Sequence, residues 1–321
     1  MKYENCIEKN ECNTEKSNGK TVLLVDRVFA DWAYEEWERN GLIVKPIFKE
    51  VPRVLRAIRR IWLHYKLPFG YIWINELLNL EKEAGKVIFH VNQLTTSLPK
   101  FINRIDDRVR VIAWYWDSIG KENSPKLIRG KCELWSFDPK NCLEYNLRFN
   151  HQYYFKSFLQ REIKNEICYD VFFCAIDSAE RTDATINAYE SLKAKNINLG
   201  FFVVNPLSEK IPNEIASDRL PYDSIIEKIS QSRAILEIVK RRQTGATIRT
   251  MEAIYFDKKL ITNNTHIRNE PFYNPNNIFV IENDNYDDIS EFLNSSFVPY
   301  DDRLRDLYDV NQWVKNFDTE E

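Results

Sequence analysis

Residues 234–264 read AILEIVKRRQTGATIRTMEAIYFDKKLITNN. The first seven residues have the length and β-branched content of a buried strand. A turn with one glycine follows. Residues of about 246–257 then carry apolar side chains at helical spacing, and 258–264 returns to a strand pattern. Strand, crossover helix and strand in that order form a βαβ unit, whose two strands lie parallel in one sheet.

The same alternation extends in both directions. Upstream, strands are expected at 21–27 (TVLLVDR), 42–48 (LIVKPIF), 71–75 (YIWIN), 86–91 (KVIFHV), 109–116 (VRVIAWYW) and 132–137 (CELWSF). Helices are expected near 31–40, at 52–65, at 76–84 with Gly85 as its stop, and from Asp138–Pro139 onward. After a connector at 148–166, a second series begins. It has strands at 169–176 and 197–204, helices at 182–196 and 222–232, the opening stretch itself, and a strand at 277–282. An amphipathic helix is expected over 302–317. Two such series predict an α/β protein of two Rossmann-like domains, with parallel sheets facing a central cleft. The expected division is a polar tail at 1–19, a first domain at 20–147, the connector at 148–166, a second domain at 167–300, and a C-terminal helix at 301–321 that packs back on the first domain.

Composition agrees with this size. The chain has 321 residues, 44% hydrophobic and 13% aromatic, enough for two domains of about 150 residues each. A net charge of −3 argues against nucleic acid as a partner. No stretch approaches the ~18–20 apolar residues of a membrane span. The polar N-terminus has no signal-peptide core, so a cytoplasmic protein is expected. Six cysteines form no Cys-x-x-Cys pair and read as reduced, mostly buried apolar residues.

The chemistry of the opening stretch follows from its place at a strand's carboxyl end, where open α/β sheets bind ligands. Gly245 removes a Cβ from the turn, and Gln243 stands beside it. Thr244 or Thr247 caps the helix, whose free N–H groups and dipole favour a phosphate. Arg249 and Glu252, three residues apart, share a helix face. A guanidinium suits a diphosphate, and a carboxylate suits the two hydroxyls of a ribose. The ligand expected from these groups is a sugar nucleotide. The bland reading is an ordinary helix with a surface Arg–Glu pair.

In its order of features the run resembles the sugar-nucleotide segment of GT-B glycosyltransferases, particularly a bacterial group of lipopolysaccharide and capsule biosynthesis. The likeness also takes in CELWSFDPKNCLEYNL (132–147), YDVFFCAIDSAER (169–181) and FYNPNNIFVIE (272–282). It implies ribose at Glu252 and phosphate at the Thr244–Thr247 turn. One departure is that the strand ending Cys174-Ala175-Ile176-Asp177 lacks the glycine often found there; Arg181 is expected to supply the phosphate contact instead. No Asp-x-Asp occurs, so no metal or other cofactor is expected, and the donor is a substrate.

The acceptor side is less legible. His90 and Asp117 end first-domain strands, and each is a candidate base for an acceptor hydroxyl. Each also has a structural reading, as a packed histidine and as a turn or cap. The helix at 52–65 carries Arg53, Arg56, Arg59 and Arg60, with Lys66 beyond. It reads either as core-packed with a solvated basic face, or as a surface through which residues 52–66 touch the inner face of the cell membrane. The expected activity is transfer of a sugar from a nucleotide donor to a surface glycan (lipopolysaccharide, capsule or exopolysaccharide), lipid-linked in the membrane reading. The alternatives are a sugar-nucleotide epimerase of the same fold and a non-catalytic nucleotide- or glycan-binding member.

Overall fold

The computed structural model describes residues 20–26, 31–75, 84–105, 107–160 and 166–319. The expected tail at 1–19 and nearly all of the helix expected at 76–84 lie outside them.

Two six-stranded sheets form the frame, and every strand pairing within them is parallel. The first runs β1 (Lys20–Val25), β2 (Ile43–Pro46), β3 (Ala84–His90), β4 (Arg110–Tyr115), β5 (Glu133–Ser136) and β6 (Arg148–Phe149), in the spatial order 2-1-3-4-5-6. Its helices are α1 (Asp31–Arg39), α2 (Arg53–His64), α3 (Leu98–Ile105) and α4 (Pro139–Tyr145). The second has β7 (Tyr169–Ile176), β8 (Leu199–Val204), β9 (Ala216–Ser217), β10 (Ser232–Glu237), β11 (Lys259–Thr262) and β12 (Ile278–Val280), in the order 12-11-10-7-8-9. Around it lie α5 (Thr182–Ala194), α6 (Tyr222–Ser230), α7 (Ile248–Tyr255) and α8 (Ile289–Asn294). The pairing of β10 with β11 across α7 is the βαβ unit of the opening stretch.

Three apolar clusters hold this together. One fills the first domain around Val87, Phe89 and Ala113, and one fills the second around Val171, Leu236 and Ile261. The third joins the two and is rich in aromatics: Trp37, Trp114, Tyr154, Tyr255, Tyr308 and Trp313. Its large flat side chains bury much area per residue and hold the domains together.

Two expected elements differ. Residues 71–75 are no strand. Gly70–Trp73 forms a short 3-10 turn, entered through Phe69 at φ 62°, and only Ile74 bridges to Phe48. The reason is exposure: Tyr71 and Ile72 face solvent, so no buried face draws the segment into the sheet. Gly85 lies inside β3. The expected C-terminal helix is two, α9 (Asp302–Leu307) and α10 (Val310–Asn316). It breaks because Tyr308 O accepts from Tyr154 N (2.8 Å) and Val310 N donates to Tyr154 O (3.0 Å), which takes this backbone out of the helical ladder. Asp309 then caps α10. Trp313 and Phe317 of this tail pack on Trp114 of β4, and Asp318 pairs with Lys86 (2.6 Å) and Arg110 (2.9 Å).

Candidate functional site in the interdomain cleft

The turn after β10 is built around two buried carboxylates. Glu237, the last residue of β10, is 2% exposed. It accepts from Thr247 (2.5 Å), Thr250 (2.8 Å) and Thr262 (2.6 Å), three hydroxyls in the segment it precedes. Thr247 also caps α7 by accepting from Arg249 N at 3.0 Å. Its hydroxyl is therefore committed in both directions. The only sequence signal for Glu237 is an acid inside an apolar run.

The second carboxylate comes from the other domain. Asp138 caps α4 by accepting from Lys140 N (2.9 Å) and Asn141 N (3.2 Å). It also accepts from Thr244 N (2.7 Å), Gly245 N (3.2 Å) and the Thr244 hydroxyl (2.8 Å). The anion grip expected for a phosphate is thus filled by a first-domain side chain. Gly245 is required, but for a different neighbour: a Cβ there would stand 2.5 Å from Phe137 O and 2.9 Å from Asp138 Cα. Thr244 N, the Thr244 hydroxyl, Gly245 N and the Thr247 hydroxyl therefore have protein partners, and a phosphate at this turn would compete with Asp138 and Glu237 for them. Gln243 is partly exposed at the mouth of the turn, where its N–H donates to Lys240 O (2.9 Å).

Arg249 and Glu252 share a face as expected, but that face points inward. Glu252 is 0% exposed, against 17% for the Arg249 side chain with which it forms an ion pair. Its other oxygen accepts from Tyr222 OH (2.7 Å), which in turn lies 2.8 Å from Tyr154 OH. Burial pushes the Tyr222 phenol well above its usual range and Glu252 adds to the shift, so it remains a donor. Burial works against the Arg249 charge, but Glu252, Cys174 and Tyr222 together outweigh it and keep the guanidinium protonated. Glu252 thus holds both Arg249 and Tyr222, and a ribose that reached it would displace one of them.

The cleft itself gathers charges of both signs. Lys240 reaches across to Asp117 at 2.8 Å. Arg181, at the start of α5, has Asp117, Asp177 and Arg249 as its neighbouring charges. Burial lowers its guanidinium from the ordinary value, and Asp117 and Asp177 work against that. One Arg181 nitrogen donates to Ile176 O. Its Nε, and the nearby Ser178 hydroxyl, are buried with no hydrogen-bond partner among the described residues. An unpaired buried donor beside a helix start is a place where an anion would be stabilised.

His90 does not join this group. It is 6% exposed, ringed by Trp37 (5.5 Å), Trp116 (4.6 Å) and Trp313 (6.5 Å), with Tyr153 OH 3.3 Å from Nε2. Burial pushes its pKa down to about 3. An imidazole so weakly basic and so enclosed favours the packed-histidine reading over that of a base. The first domain offers instead a pocket of about 300 Å3 at the carboxyl ends of β1 and β2, lined by Asp26, Lys49, Glu50, Arg56 and Arg59 among others. Sequence reading missed it because its residues come from three separated segments.

No protein-family model and no curated protein matches the sequence. Among solved structures, sucrose-phosphate synthase from Thermosynechococcus elongatus superposes with TM-score 0.53 at 8% identity, over 93% of this chain and 97% of that one. The apo lipopolysaccharide outer core galactosyltransferase WaaB gives 0.47 at 11%, over 93% and 98%. UDP-GlcNAc 2-epimerase from Methanocaldococcus jannaschii gives 0.45 at 10%, over 93% and 97%. At such identities the likeness is one of fold, and it spans nearly the whole of each chain. With its two facing parallel sheets, this chain has the GT-B fold.

Proposed function

We propose that the protein is a metal-independent glycosyltransferase that moves a sugar from a nucleotide donor to a bacterial surface glycan, such as lipopolysaccharide, capsule or exopolysaccharide. The observation that carries this is the buried Arg181 guanidinium, whose Nε has no hydrogen-bond partner among the described residues. Arg181, with its unpaired Nε, lies beside Arg249 at the second domain's strand ends, and Lys240 faces Asp117 of the first domain. In this reading the donor diphosphate sits at the start of α5, where Arg181 and Arg249 offset its charge as the sugar departs. These fixed cations supply what a divalent ion supplies elsewhere. Asp117 is the carboxylate best placed to take the acceptor's proton, once the incoming donor draws Lys240 away from it. The acceptor enters from the side of the Asp26–Arg59 pocket, and the enzyme works at the cytoplasmic face of the membrane on a lipid-linked glycan.

The test is calorimetric titration of a panel of nucleotide sugars in EDTA, with Arg181→Ala and Arg181→Lys, followed by product analysis with a lipid-linked glycan acceptor. One nucleotide sugar is expected to bind. Arg181→Ala should weaken it about tenfold or more, in line with a charge-assisted hydrogen bond, and Arg181→Lys should recover part of the loss. No binding to any donor, or unchanged binding in Arg181→Ala, overturns the assignment. Epimerised sugar without acceptor, or binding without turnover, would identify the two other activities this fold supports.

A further inference from the structure

Helix α2 has its apolar face on the outside. It rests on the fold through Arg59, which is 7% exposed, donates to Lys49 O (2.9 Å) and lies 4.6 Å over the Phe48 ring, and through Leu63 one turn on. Val54, Ile58, Ile61 and Tyr65, spaced by four, three and four residues, form one stripe of the helix surface. They are 72%, 41%, 57% and 68% exposed. The segment after the helix continues the surface with Phe69 and Tyr71. Nine of the sixteen exposed large apolar residues among those described fall within residues 54–72. Scattered exposed apolar residues are ordinary, but a concentration of this kind marks an interaction surface.

Charge identifies the partner. Residues 51–75 contain Arg53, Arg56, Arg59, Arg60 and Lys66 and no Asp or Glu, in a chain with 48 acidic residues and a net charge of −3. Arg53, Arg56, Arg60 and Lys66 are all exposed. Trp62, Tyr65, Phe69 and Tyr71 add the aromatic rings that settle at a lipid headgroup boundary. An apolar stripe flanked by the exposed Arg53, Arg56, Arg60 and Lys66 fits neither water nor a neutral protein groove as well as an anionic bilayer surface. Among the described residues no helix is long and apolar enough to cross a membrane.

We propose that the outer face of α2 and the segment to Ile72 dock the protein on an anionic lipid surface. Arg56 and Arg59 of the same helix line the first-domain pocket, so docking brings that pocket to the headgroup plane. The inference deepens the glycosyltransferase reading and rests on it only for the use of the pocket by a lipid-linked acceptor. Vesicle binding needs no donor, so the two readings fail separately.

The experiment is co-sedimentation of the full chain with phosphatidylcholine vesicles and with vesicles containing roughly one-quarter phosphatidylglycerol. The wild type should bind the anionic vesicles and bind the neutral ones far more weakly. The double variant Ile58→Ser/Ile61→Ser should lose about tenfold in affinity, since two side chains no longer insert. Arg53→Gln/Arg60→Gln should lose about fivefold per arginine, and added salt should do the same to the wild type. All four positions are exposed, so circular dichroism and melting temperature should match the wild type. Equal binding to both vesicle types overturns the proposal. So does a vesicle-free dimer, seen by sedimentation velocity, that dissociates in Ile58→Ser/Ile61→Ser, because the stripe would then be covered by a second copy.

Discussion

Helices α2 and α7 each follow a parallel strand and each bury a charged side chain, yet they treat their apolar residues in opposite ways. In α7 every residue from Thr250 to Tyr255 is buried, and Glu252 is matched by Arg249 and Tyr222. In α2 only Arg59 and Leu63 are buried, and the apolar stripe is bare. A helix pattern alone therefore does not say which face the fold uses. Apolar residues in α7 drive folding, whereas those in α2 contribute little to it and remain available for binding. Removing Glu252 should break the first half of this contrast with the largest effect. Glu252→Ala strands Arg249 in a buried site and should cost about 3–5 kcal/mol, read as a lower urea midpoint. Ile61→Ala in α2 should stay within about 0.5 kcal/mol. A loss near 2 kcal/mol in Ile61→Ala would show that the stripe packs after all.

The turn ahead of α7 sharpens the same contrast, because it is held by the other domain. Gly245→Ala drives a Cβ onto Phe137 O and the Asp138 backbone, neither of which can swing aside. The expected cost is about 3 kcal/mol, at the upper end for overpacking, and it should appear in ligand-free protein. If Gly245→Ala leaves ligand-free stability intact and weakens only donor binding, the turn faces a ligand and the Asp138 clamp is not its main occupant.

The aromatic cluster between the domains predicts a pH response. Burial holds His90 down at about 3, and it lowers His151 as well. A depressed imidazole leaves folding unaffected above about pH 6.5. Below that the unfolded chain takes up a proton that the native state refuses, and stability falls until the native group also titrates. At pH 5 the loss from His90 alone should be about 2 kcal/mol. Urea denaturation at pH 7.5 and pH 5 measures it, and His90→Phe should flatten the difference. An equal slope in the variant would mean that other groups set the acid response.

Most of the frame was legible because parallel strands buried on both faces are short apolar runs with helices between them. The two parallel sheets, the start of α4 at Asp138 and Pro139, and a threonine cap on α7 follow from local chemistry, though that chemistry leaves Thr244 and Thr247 as alternatives and the structure selects Thr247. Failures came where a distant segment decided the outcome. YIWIN has strand composition, but nothing covers Tyr71 and Ile72. Tyr154 breaks the last helix in two. Asp138, read only as a helix cap, also enters the turn amides 106 and 107 residues away, so the groups that look like a phosphate grip were accounted for locally while their partner was not. Arg59 was read as part of a solvated basic face, yet it is the residue on which α2 rests.

The smallest expected effect concerns an ion pair at the cleft mouth. Lys240 and Asp117 meet at 2.8 Å, but their side chains are 24% and 55% exposed. Water screens such a pair, and ordering both side chains offsets most of the attraction. Lys240→Ala should therefore change stability by no more than about 1 kcal/mol, with the difference shrinking further at high salt. Its consequence should lie in binding instead. The pair occupies both partners while the cleft is empty, and a donor diphosphate would compete with Asp117 for Lys240. Asp117→Asn should then strengthen the binding of a nucleoside diphosphate modestly, while Lys240→Ala weakens it, with both measured by calorimetry. If neither variant alters nucleotide affinity, Lys240 and Asp117 hold only each other, and the donor's charge is met by Arg181 and Arg249 without help from the turn.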